Sequence, residues 1–297
     1  MSRMSRRGFL TRTGGTAAVV LAGGVLPGRA HGAAGKDSEK LGTLHVGMVT
    51  YNLGRHWDID TIIKNCSEAK FEGVELRSTH AHGVESNLPK PKRLEVRRKF
   101  EDSPVRLLGL GTAFEFDSPD PAVVRKNIEG AKEYVILCKD VGGFEIKVRP
   151  NHLHKDVPEE KTLEQIGKSL RELGAFAQDY GVKICLEIHG RGTNHVPRIR
   201  KILDYADHPN VWVTWNSNQS DLEDGGLESN FDLVKDRIGM VHMRDLYLES
   251  YPWRKLLGLL RTSGYNGYCL AEIPESTDPV RVMKYYRALF LAYQDLL

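Results

Sequence analysis

The 297-residue chain is 40% hydrophobic and 27% charged, with 8% aromatic residues and a formal net charge of +3. That is ordinary for a globular protein and supplies one large core or two modest domains. The positive charge belongs to the N-terminus: residues 1–34 hold five arginines and no acid, so taking those five from +3 leaves −2 for residues 35–297. No Lys/Arg-rich block interleaved with aromatics follows, which argues against nucleic acid as a partner.

The chain begins with Ser5-Arg6-Arg7-Gly8-Phe9-Leu10, then the weakly apolar run Thr16 to Leu26, then Pro27, Gly28, Arg29 and Ala30. A basic head, an apolar middle and small residues after it describe an export signal. The adjacent arginines resemble a twin-arginine signal, which a receptor reads as an address. The expected organisation is a signal over residues 1–34, a linker over 35–43 and one domain over 44–297. The expected location is the periplasm or another exported compartment. The apolar run is too short and glycine-rich for a membrane span, so none is expected in the mature chain.

From residue 44 onward, short apolar runs alternate with longer helical patterns. Leu44 to Val49 reads as a strand, followed by a helix over Ile59 to Lys70. Gly73-Val74-Glu75-Leu76-Arg77 follows, then a loop carrying His80 and His82, a charged helix over Lys92 to Phe100, and a third strand over Val105 to Leu110. A helix over Ala122 to Leu137 leads to Phe144–Arg149, which Pro150 should end. Leu163, Ile166, Leu170, Leu173 and Ala177 recur at helical spacing up to Tyr180, with Thr162 and Gln165 as a capping box and Gly181 as a stop. The strand Val182 to Ile188 follows, then a helix over His195 to Tyr205 and the strand Val211 to Trp215. A short helix near Phe231 to Lys235 precedes Ile238–His242. A helix over Trp253 to Leu260 precedes Tyr268–Glu272, and a helix over Val280 to Leu296 closes the chain.

Eight strand–helix pairs in about 255 residues predict an α/β fold of the (β/α)8 TIM-barrel class. The continuously apolar strands suit buried parallel strands. A doubly wound sheet also alternates, but it commonly carries a glycine-rich loop after its first strand, and Gly47 and Gly54 form no such motif. Cys66, Cys138, Cys185 and Cys269 lie far apart in apolar contexts with no CxxC, so buried free thiols are expected.

The unusual polar residues gather at strand C-terminal ends. Arg77, His80 and His82 follow the second strand; Lys147 and Arg149 end the fourth; Glu187 and His189 the fifth; Asn216 and Asn218 the sixth; His242, Arg244 and Asp245 the seventh; Glu272 the eighth. In a barrel these ends form one rim, where active sites lie. Two glutamates and a histidine meeting there would repel unless a cation sat between them; Mn²⁺, Mg²⁺, Co²⁺ and Zn²⁺ all suit such ligands. Lys147 and Arg149, two apart on a strand, face the same way and could bind a carboxylate, a phosphate or sugar hydroxyls. Arg77, His80, His82, His189, Asn218, Arg244 and Asp245 complete the expected substrate contacts, with Arg244 and Asp245 also placed to pair. Trp57, Trp215 and Trp253 either face a sugar or pack in the core.

With Gly73–Arg77, Val182–Glu187, Val241-His242 and Gly267–Glu272 in order around eight units, the chain resembles the xylose isomerase-like TIM-barrel superfamily. It is similar to exported bacterial members of the sugar phosphate isomerase/epimerase kind. The resemblance implies four metal ligands from strands five to eight, falling on Glu187, Asn216, His242 and Glu272. It also implies that Glu187 and Glu272 exchange the substrate proton as an acid/base pair. Asn216 stands where that pattern has a carboxylate, and Gln219 where it has a histidine, so metal affinity should fall, to weak binding or none. The expected activity is a metal-assisted isomerase or epimerase of a small sugar or keto-sugar. Alternatives are a lyase or hydrolase acting on a keto-sugar, and a non-catalytic sugar-binding barrel. The oligomeric state is open, a homo-oligomer included.

Overall fold

A computed structural model describes residues 41–297; the expected signal over residues 1–34 lies outside them. Eight strands alternate with eight helices: β1 Leu44–Val49, α1 Ile59–Ala69, β2 Gly73–Arg77, α2 Lys90–Glu101, β3 Arg106–Glu115, α3 Pro121–Val141, β4 Glu145–Arg149, α4 Glu159–Gln178, β5 Lys183–Glu187, α5 Val196–Ala206, β6 Val211–Trp215, α6 Gly226–Val234, β7 Ile238–Met243, α7 Trp253–Thr262, β8 Gly267–Ala271 and α8 Pro279–Ala292. The strands pair in sequence order, and β1 closes on β8 in parallel, Leu44 opposite Gly267 and Met48 opposite Ala271. The predicted (β/α)8 barrel is therefore the fold. No described helix is long and apolar enough to cross a membrane.

The helices bury the stripe their spacing promised. In α1, Ile59, Ile62, Cys66 and Ala69 face the sheet, and the Asp58 carboxylate accepts from the Thr61 N–H at 2.8 Å to cap the first turn. All four cysteines are buried and free. Trp215 and Trp253 are core residues, which settles their role as packing rather than a sugar platform.

Two expectations need correction. The capping box at Thr162 and Gln165 does not form, because α4 starts earlier, after Pro158, with Glu159 and Glu160 in its first turn. Acidic side chains there suit the positive end of the helix dipole. Thr162 lies buried inside the helix, and the Gln165 amide donates instead to the carbonyls of Phe116 and Ser118. The third strand runs on to Glu115 rather than stopping at Leu110, with a register shift against β4 between Gly111 and Glu115. That extension carries Glu115 to the rim.

Inside the barrel, Leu108, Met240 and Leu270 make an apolar plug with Phe144 and Tyr268. Side chains alternate faces along a strand, so parity from Met240 sends His242 inward, and parity from Leu270 does the same for Glu272. Above this plug the interior carries the charged side chains of the rim, with one further acid, Glu145, buried at the start of β4. Gly111 makes room for this layer: a Cβ there would sit 2.3 Å from Glu75 Oε1.

The loop after β5 is set by Gly190, whose φ is +99°. A Cβ on it would lie 1.9 Å from the Asn151 carbonyl oxygen. Gly190→Ala is expected to cost about 1–2 kcal/mol of backbone strain and about 1–3 kcal/mol of overpacking. A thermal midpoint within a degree of the parent's would contradict this.

Candidate active site

Glu187 is the last residue of β5, His242 the fifth of β7, and Glu272 the first beyond β8. The Glu272 N–H donates to the Met243 carbonyl at 2.8 Å, which holds it beside β7. One donor atom from each of the three side chains lies within 4.8 Å of the others. The Glu187 and His242 side chains are almost wholly buried, 2% and 1% exposed. Lys147, also buried, donates from Nζ to Glu187 Oε2 at 2.6 Å. The His242 ring has Nε2 3.3 Å from Glu75 Oε2 and Nδ1 3.5 Å from Glu187 Oε1.

Burial works against charge on all three groups, and their neighbours decide the outcome. Burial tends to raise Glu187, but the Lys147 ammonium and His242 outweigh it and hold its carboxyl well below the usual range. Glu272 is raised, chiefly by burial, with the charge of Glu187 adding to the effect against His242 and Lys147. His242 resists burial because Glu75, Glu187 and Glu272 surround it, and its pKa rises to about 10.

The three residues fit a divalent cation. His242 Nδ1 is buried without a hydrogen-bond partner and belongs to a cluster with two carboxylates. An imidazole nitrogen and two carboxylates are a chemically suitable set for Mn²⁺, Mg²⁺, Co²⁺ or Zn²⁺. The Asn216 side chain lines the same cavity as the glutamates and offers a neutral oxygen as a fourth donor.

That cavity, about 390 Å³, opens at the C-terminal ends of the strands. Of the predicted residues, Arg77, Lys147, Arg149, Glu187, His189, Asn216, Asn218, Arg244 and Glu272 line it, joined by Val49, Tyr51 and Asn52. Arg149 pairs with Glu115, and burial lowers the pKa of His189, favouring its neutral ring. The Asn218 amide donates to the Ile188 carbonyl at 2.6 Å, so it also braces the end of β5. A larger hollow of about 690 Å³ lies on the outside, between α3 and α4. It receives no strand ends, and Arg125 and Glu172 pair across it, so its size alone does not mark chemistry.

Three predicted contacts fall outside the rim cavity. His82 is buried, with Nε2 2.8 Å from the Arg77 carbonyl and Nδ1 accepting from the Val84 N–H; both ring nitrogens are spent on the loop backbone. His80 Nδ1 meets Thr50 Oγ1 at 3.1 Å, and its ring stacks on Tyr51. Asp245 lies past the end of β7, lines a separate hollow with Tyr247 and Tyr285, and makes no ion pair with Arg244 among the described residues.

Sequence reasoning missed Glu75, Glu115 and Asp221. Glu75 carried a signal: an acid inside the buried run Gly73–Leu76 needs a partner. Asp221 sits in a single 3-10 turn after β6. It accepts from the Tyr251 hydroxyl at 2.7 Å, while the Trp215 indole donates to that hydroxyl. Burial pushes Asp221 up to about 7. A folded pKa above the unfolded value of about 3.9 favours the protonated form, so its stabilisation is full below pH ~4 and lost as pH rises toward 7. The stability of Asp221→Asn relative to the parent should therefore climb between pH 4 and 8, by up to about 4 kcal/mol. Parallel denaturant titrations at both pH values check this, and a pH-independent difference would refute it.

A family model described as Xylose isomerase-like TIM barrel matches residues 63–289. The chain is 25% identical over 188 residues to the L-ribulose 3-epimerase of Methylomonas sp. (strain DH-1), a match covering 61% of this chain and 64% of that protein. The chain thus spans less than two thirds of the length of that curated relative. In structure it is similar to the 3-keto-D-glucoside 4-epimerase YcjR from E. coli, with a TM-score of 0.71 at 16% identity over 84% of this chain and 100% of that one. It is equally similar to the IOLI protein with a binding zinc atom, TM-score 0.71 at 16% identity, covering 84% of this chain and 99% of that one. At such identities these structures bear on the fold alone.

Proposed function

The chain belongs to the xylose isomerase-like TIM barrel family, and from that premise we propose that its rim site is a metal-assisted isomerase or epimerase of a small sugar or keto-sugar. The observation that carries this is the convergence of Glu187, His242 and Glu272 within 4.8 Å, beside a polar cavity of about 390 Å³. Similarity to an L-ribulose 3-epimerase supports it.

Glu187 and Glu272 act on the carbon next to the substrate carbonyl. One carboxylate takes its proton, and the other returns a proton to the opposite face or to the neighbouring carbon. Lys147, Arg149 and His189 hold substrate oxygens at the cavity wall. Glu187, Asn216, His242 and Glu272 would hold a divalent cation, which would supply positive charge to stabilise the electron-rich form of the substrate. Glu187 lines the cavity yet is only 2% exposed, so little water reaches it.

The test is deuterium exchange into L-ribulose and D-psicose in D₂O, with and without chelator, alongside metal analysis of the purified protein. Exchange with bound metal, lost on chelation, is expected; absence of both would sink the proposal. Release of a fragment would mark a lyase or hydrolase instead. Sugar binding without exchange would mark a non-catalytic barrel. We also propose export by a twin-arginine-type signal in residues 1–34, with a linker over 35–43 and the barrel over 44–297. Arg6→Lys with Arg7→Lys should trap the precursor in the cytoplasm, and unchanged export would refute it.

A further inference from the structure

The rim cavity is lined by four cationic side chains, Arg77, Lys147, Arg149 and Arg244, against two carboxylates, Glu187 and Glu272. Lys147 is committed to Glu187 and Arg149 to Glu115. Arg77 turns one nitrogen onto the carbonyl and hydroxyl of Ser78. Arg244 makes no ion pair among the described residues. Its Nε and Nη2 are both buried and without a hydrogen-bond partner, and Arg149 Nε shares that state.

Arg244 as a whole is half-buried, but two N–H groups removed from water and left unmet are costly. Nε and Nη2 form one edge of the planar fork, whose two parallel N–H bonds match a carboxylate or phosphate. A neutral hydroxyl can accept one of these bonds but leaves the charge uncompensated. Asp221, which senses the charge of Arg244, is spent on Tyr251 and burial pushes its carboxyl up to about 7; Glu187 in the same cavity is spent on Lys147. The missing anion is therefore best supplied by what enters the cavity.

We propose that the substrate is a small sugar or keto-sugar bearing an anionic substituent, a carboxylate or a phosphate, docked on the Arg244 guanidinium within reach of the positive field of Arg149 and Arg77. This deepens the proposed function and rests on it for the sugar, while the anion follows from the cavity's own charges.

Calorimetric titration of chelator-treated and Mn²⁺-loaded protein with D-fructuronate, D-fructose 6-phosphate and D-fructose tests it. At least one anionic sugar should bind about tenfold or more tighter than D-fructose. Preference for fructuronate assigns a carboxylate, and preference for the phosphate ester assigns a phosphate. In Arg244→Gln the ratio of anionic to neutral affinity should fall to about one. Arg244→Lys keeps charge but loses the fork, and its ratio should lie between. Equal affinity for all three sugars, or a ratio unmoved in both variants, overturns the proposal. The measurement reads binding without turnover. Anion preference with no proton exchange on any ketose would sink the isomerase alone, and exchange on neutral ketoses without anion preference would sink the anion alone.

Discussion

Glu187→Gln and Glu272→Gln are each expected to slow proton exchange into the substrate by about 10²–10⁴-fold, the usual contribution of one positioned acid or base. Glutamine keeps the shape of the side chain and removes its capacity to carry a proton. The double variant should lose little more than the worse single one, because two groups acting on one proton path do not contribute additively. Their stabilities should diverge. Glu187 is the buried partner of Lys147, so its replacement strands an ammonium in the barrel. Glu272 has no ion pair among the described residues, and its pKa is raised by burial. Neutralising it should leave the melting temperature level or raise it, a common trade at strained active sites. Exchange followed by NMR and thermal melts of the same samples separate the two effects. Exchange surviving both replacements would remove the glutamates from the chemistry.

Much of the site follows from strand parity. Lys147 and Arg149 share a face because two residues apart on a strand means the same side, and Arg244, the first residue after β7, lines the same cavity as they do. Asp245 lies two residues past the end of β7, where alternation no longer fixes direction, and it lines the outer hollow instead. His80 and His82 lie in a loop, where no period fixes direction, and backbone hydrogen bonds claimed the second of them. Glu115 reached the rim only through the register shift in β3, which leaves no pattern in the residues. Glu75 meets His242 across 167 residues of sequence. Its burial could be read, but its partner depended on how the barrel closed. The helices were placed correctly by their apolar stripes, while their ends moved where Pro158 and two glutamates started α4 earlier.

Lys147→Met is expected to destabilise the metal-free protein by about 3–5 kcal/mol, the usual cost of removing one member of a buried ion pair. Lys147 is 5% exposed and Glu187 2%, with 2.6 Å between Nζ and Oε2, so solvent does little to screen the loss. Methionine fills similar volume, which confines the change to charge. Without the ammonium, Glu187 keeps the His242 ring nearby at 3.5 Å. A divalent cation at Glu187, His242 and Glu272 would supply the missing charge. Mn²⁺ should therefore raise the melting temperature of Lys147→Met more than that of the parent, since a ligand stabilises the folded state in proportion to its affinity. In the parent, Lys147 already neutralises Glu187 and would compete with a cation for it. Adding Glu187→Gln to Lys147→Met should recover part of the loss, because removing both charges is cheaper than removing one. Equal melting of Lys147→Met and parent in chelator would show that the pair contributes nothing. An identical Mn²⁺ shift in both would show that lysine and cation do not share Glu187. The lysine thus holds the carboxylate in place and charged, and if the proposed cation binds there, the same contact is expected to lower the site's affinity for it.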